Sequence, residues 1–130
     1  VKRGLAYSAY ASINIAKSSS SFTGYLQTKL ESLEEAQKTV NEVIAEFVEK
    51  GVTKEELAQT KKFLLGSEPL RVETMSQRLN RTFMEYYKGQ ELGHSLKELE
   101  KIEALKLKDL NAFIKSHKEI TDLSYAIVTK

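Results

Sequence analysis

The chain has 130 residues, 41% of them apolar and 29% charged, which suits one soluble domain or part of one. Its 20 basic and 18 acidic residues are interleaved and leave a net charge of +2; the one-sided basic stripe of a dedicated nucleic-acid binder is missing, and the apolar runs are too short to span a bilayer. With no cysteine there are no disulfides, thiolates or cysteine-held metals, while the compartment stays open.

The first residues, Val1 to Tyr10, begin without Met in a basic segment and run straight into a strand, so the chain is expected to be a piece of something larger. From Leu5 to Ala16 one parity carries Leu5, Tyr7, Ala9, Ala11, Ile13 and Ile15. That alternation predicts a half-buried strand with this set facing the core. Gly4 marks a turn or a close backbone approach before it, and Tyr7 places an aromatic ring and a phenol near its start. A phenol can hydrogen-bond a carbonyl or a developing oxyanion; the plainer alternative is a core tyrosine bonded locally. Lys17 to Ser21 reads as a hairpin connection, and Phe22 to Thr28 as a second strand in which Gly24 suggests a close approach.

The period then changes. Ser32-Leu-Glu-Glu35 reads as a capping box, followed by Ala36, Val40, Val43, Ile44 and Phe47 at helical spacing and Gly51 as the stop. Thr53-Lys-Glu-Glu56 opens a second helix, and Pro69 breaks the chain. Thr74-Met-Ser-Gln77 opens a third, with a stripe of Met75, Leu79, Phe83 and Tyr86. Ser95-Leu-Lys-Glu98 opens a fourth, and a fifth covers roughly Lys108 to Ser116 with Leu110, Phe113 and Ile114 inward. Leu123 to Val128 alternates again as a third strand. Strand, strand, five helices, strand is an α+β order. Three strands make a thin sheet, so an open edge is expected to take a partner strand or to support self-association.

The chemistry is sparse. His94 and His117 have no H-E-x-x-H spacing, so no metal site is assigned within the chain. Glu34-Glu35 and Glu55-Glu56 fit the first turns of capped helices better than acid/base work. Arg71, Arg78 and Arg81 lie near Phe83, Tyr86 and Tyr87. A solvated helix face is the simple reading of that group, and an anion or peptide carboxylate site is the other. No catalytic residue is assigned.

Four segments, in order, resemble one family. Lys2-Arg-Gly-Leu-Ala-Tyr-Ser8 is similar to an R-x-K-R-G-L-A-Y-S segment of the insulinase-type (M16) zinc metallopeptidases, and Phe22 to Lys29 to the strand that follows it. Gly51 to Leu57 resembles the family's G-V-T-x-E-E-L helix start, and Lys62 to Thr74 its helix segment containing L-L-G-S-x-P-L-R-x-E-T. The resemblance implies the C-terminal half of one LuxS/MPP-like metallohydrolase domain, spanning residues 1–130 as a single partial domain. It further implies the substrate-binding part of a zinc-dependent endopeptidase, whose zinc is held by H-x-x-E-H and a further Glu in a partner domain or subunit. Tyr7 matches the family's substrate-contacting Tyr, while the matching Arg would fall just before Val1; Arg3 matches a different basic position. The alternative under the same resemblance is a non-catalytic structural or partner subunit of this fold.

Overall fold

The computed structural model describes residues 4–129, so Val1 to Arg3, and the expectation for Arg3, lie outside it. Two units are distinguished: Val1–Gly51 with Phe113–Lys130, and Val52–Ala112. Among the described residues there are two strands and six α-helices, an α+β content in line with the helix-rich order predicted.

In the first unit β1 (Ser8–Ile15) and β2 (Ser20–Gln27) form an antiparallel hairpin, with Ser8 opposite Gln27 and Ile15 opposite Ser20. The alternation of Ser, Tyr, Ile and Thr is what a pleated ladder accepts. Tyr7 N–H donates to Gln27 O at 2.8 Å, and the Thr28 hydroxyl donates to Leu5 O, which ties the entry of β1 to the exit of β2. Ala11 faces Gly24, where an added Cβ would meet only Tyr10 O at 3.4 Å. No close approach among the described residues therefore demands this glycine.

The expected core face is not buried. Ile13 is 69% exposed and Ile15 70%, and on the opposite face Tyr10 and Tyr25 stack with ring centroids 5.5 Å apart. Phe22 and Leu26 are half-buried. The expected third strand is also absent: Leu123 to Val128 pair with neither β1 nor β2, and the sheet has two strands. Alternation shows that a segment is fit for a sheet, but a ladder needs a neighbour and a core needs a cover. Instead, Tyr125 of this segment donates its phenol to Asn41 Oδ1 at 2.9 Å.

A 3-10 turn, Leu30–Ser32, leads into α1 (Leu33–Lys50). That turn removes the predicted capping box: Ser32 sits at φ −102°, ψ 7° and makes no side-chain cap. A capping serine needs extended backbone to aim its oxygen at the helix start. The helix stops as read, at Gly51 with φ +72° and its N–H on Phe47 O at 2.8 Å. Its buried line is Ala36 and Val48, with Val40 and Ile44 half-buried between them; Val43 and Phe47 are exposed. Ile114, near the end of α6 (Leu107–Ser116), completes the buried apolar set of this unit, while Phe113 points out onto the His117 ring.

The second unit holds α2 (Lys54–Gly66), α3 (Glu68–Arg71), α4 (Met75–Tyr87) and α5 (His94–Ala104). Thr53 and Thr74 each close a full capping box, with Glu56 and Gln77. Thr74→Ala removes one of these boxes outright and should lower stability by about 1 kcal/mol in urea unfolding. No measurable loss would mean that the start of α4 is held by something other than its cap. Pro69 does break the chain, and it opens the first turn of α3, where its missing N–H costs nothing. Asn111 clamps Val52 from both sides, accepting its N–H at 2.8 Å and donating to its carbonyl at 3.0 Å.

The stripe on α4 stays uncovered: Met75 and Tyr86 are each 78% exposed, and Leu79 and Phe83 are exposed as well. Among the described residues only Ala36, Val48 and Ile114 are buried apolar side chains.

Candidate functional site

Tyr7 lies just before β1 and is 71% exposed. Its backbone is fixed by the bond to Gln27, and Gly4 upstream adopts φ +65°, a left-handed turn open to glycine at no steric cost. The ring is therefore presented to solvent rather than packed into a core.

The second unit carries a groove of about 280 Å³ lined by Arg71, Arg81, Lys88, Gln77, Asn80, Gln90, Met84 and Ser95. The structure thus brings Arg71 and Arg81 of the predicted basic group together, leaves Arg78 out, and adds Lys88. Arg81 is held by an ion pair with Glu68, both partly buried. The aromatics of the predicted group do not line the groove; Phe83 and Tyr87 stack on one another along α4, centroids 6.2 Å apart.

Behind the groove sits the most buried residue of the second unit, Glu85, only 4% exposed. Gly93 N–H donates to its Oε2 at 2.8 Å and Ser95 N–H to its Oε1 at 2.9 Å. This replaces the helix start read at Ser95. The start lies two residues earlier: the helix begins at His94, with Gly93 at φ +83° as its cap residue. The left-handed glycine turns two backbone N–H groups toward one carboxylate, and a charged acceptor is stronger there than a serine hydroxyl. The Ser95 hydroxyl, then the Ser95 and Gly93 N–H groups, hold the Glu85 carboxyl down at about 2, with Arg81 nearby adding to the effect. At the other end of α5 Lys61 donates to Glu103 O at 2.8 Å and Leu105 O at 2.6 Å. The helix thus has a negative group at its start and a positive one at its end, as the macrodipole favours.

Neither Glu85 nor Lys61 was legible as a site residue. In the sequence Glu85 follows Arg81 at i+4 and reads as half of a surface ion pair. Each histidine has a carboxylate beside it: His94 Nε2 lies 3.7 Å from Glu98, and His117 Nδ1 lies 2.6 Å from Glu119. Glu34-Glu35 and Glu55-Glu56 occupy the first turns of α1 and α2, as read. Among the described residues no cluster of three or more His, Asp or Glu is placed to hold a metal ion, and no helix is long and apolar enough to cross a membrane.

Comparison with known proteins adds two findings. Residues 1–64 match the family described as "Peptidase M16 inactive domain". Over 129 residues the chain is 48% identical to a "Non-peptidase homolog YmxG" of Helicobacter pylori (strain ATCC 700392 / 26695). That alignment covers 99% of the chain and 30% of the relative's length.

Proposed function

Because the chain belongs to the M16 peptidase family, we propose that it is part of a non-catalytic member, acting as a structural or partner subunit. One observation carries this reading: the Helicobacter relative, nearly half identical over almost the whole chain, is a non-peptidase homolog. The family match as an inactive domain supports it. The remaining strands of a LuxS/MPP-like domain, or a second copy of the chain, would pair with the free edges of the hairpin.

A second reading rests on Tyr7, which keeps its place in the family's motif and is exposed at the mouth of the hairpin. Here the chain is the substrate-binding part of a zinc endopeptidase, and the Tyr7 phenol donates to the peptide carbonyl or the oxyanion it becomes. Zinc, which activates water in such enzymes, would be held by a partner domain.

The test uses the full-length parent protein, purified alone and mixed with a zinc-bearing subunit of the same family. The non-catalytic reading expects no hydrolysis of a quenched-fluorescence peptide by the protein alone, with or without added zinc, and unchanged turnover of the mixture after Tyr7→Phe. Zinc-dependent hydrolysis by the protein alone would overturn it. A fall in the mixture's turnover of about 10²-fold or more for Tyr7→Phe would transfer the assignment to the second reading.

A further inference from the structure

We propose that the basic groove of the second unit is a binding site for the carboxylate of an acidic peptide, through Arg71 and Lys88. Three observations on the groove carry this. Its lining holds three cationic side chains and no carboxylate. Arg81 already has Glu68 as a partner, whereas among the described residues Arg71 and Lys88 pair with nothing. The nearby Glu85 accepts from the N–H groups of Gly93 and Ser95, and among the described residues it forms no ion pair with Arg71 or Lys88.

The chemistry of the lining selects the ligand. A guanidinium fork matches a carboxylate with two parallel hydrogen bonds, and the Lys88 ammonium adds a compact point charge. Beside them lie the side-chain amides of Asn80 and Gln90. Each offers a donor and an acceptor, the complement of a peptide unit, whereas a bare phosphate uses donors only. Gln77 is committed elsewhere, accepting from Thr74 N–H at 2.8 Å and donating to Leu70 O at 3.2 Å. At about 280 Å³ the groove falls at the lower edge of the ~300–1,000 Å³ that encloses whole small molecules. It suits an acidic side chain or a C-terminal carboxylate with its adjoining amide. The groove uses neither zinc nor Tyr7, so this assignment stands apart from the choice between the two readings above.

The experiment measures fluorescence anisotropy of a labelled Glu-rich hexapeptide with a free C-terminus on the full-length protein. The comparison ligands are the same peptide with every Glu replaced by Gln and its terminus amidated, and inorganic phosphate as competitor. Binding of the acidic peptide is expected, with little binding of the neutral one. Arg71→Gln and Lys88→Gln should each weaken it by about tenfold, and affinity should fall as salt rises beyond about 0.15 M. Arg78→Gln, outside the groove, should leave it unchanged. Far-ultraviolet circular dichroism of each variant separates loss of binding from loss of fold, and both groove positions are exposed enough to tolerate the change. Equal binding of the neutral peptide, equal loss in Arg78→Gln, or wild-type affinity in Arg71→Gln would overturn the site. Displacement of the peptide by an equimolar amount of phosphate would overturn the peptide assignment.

Discussion

Glu85→Ala should release the start of α5 and give the largest stability loss of any single carboxylate replacement in the second unit. Two N–H groups, on Gly93 and Ser95, then lose their acceptor in a pocket only partly open to water, and unmet backbone donors are what helix ends least tolerate. Amide hydrogen exchange at those two positions is the direct readout. The same carboxylate makes the unit acid-sensitive. Its pKa is about 2 in the folded chain against an ordinary 4.5, so the unfolded state binds a proton that the folded state does not between those values. The stabilisation is complete above about pH 4.5, declines as pH falls toward 2, and is gone below that. Thermal unfolding followed from pH 6 to pH 2 should show this decline, and Glu85→Gln should flatten it. An equal slope in the Gln variant would move the acid response to other carboxylates.

Ile114→Ala should destabilise the first unit by about 2 kcal/mol or more, whereas Ile13→Ala should cost almost nothing. The two residues are of the same type, but one is 7% exposed and the other 69%. Deleting a buried isoleucine loses both transfer energy and packing; trimming an exposed one loses neither. Urea unfolding of the two variants side by side measures the contrast. Similar losses would show that the hairpin face is covered in solution. With so little apolar surface buried, the 130-residue chain should also bind the dye ANS, and covering the hairpin or the α4 stripe with a partner should quench that signal.

Much of the local structure was legible in the sequence. The hairpin, the caps at Thr53 and Thr74, the stop at Gly51 and the break at Pro69 follow from rules acting within a few residues. The failures share one cause. Ile13, Phe47, Phe113 and the Met75-to-Tyr86 stripe are patterned as inward faces, but periodicity states which faces are apolar and not what lies against them. Val48 was missed for the same reason, and Leu123 to Val128 had the alternation of a strand without a neighbour. At the candidate groove Arg71 and Arg81 stood out as a basic group, whereas Lys88 and Gln90 join only once α4 has ended and the chain has turned. Tyr7 was legible as a position in a motif; its exposure was not.

The pinning of α5 also bears on how this sequence can drift. Most helices carry their own end signals, so a substitution at a cap is felt where it occurs. Here both ends of α5 are served from other helices, by Glu85 and Lys61. The selective burden of starting and stopping this helix is thereby moved to two positions that look like ordinary surface charges in the linear text. Among related chains, positions 61 and 85 should tolerate fewer replacements than the side chain at 95, and a start site read from residues 93–98 alone will be misplaced whenever position 85 is acidic.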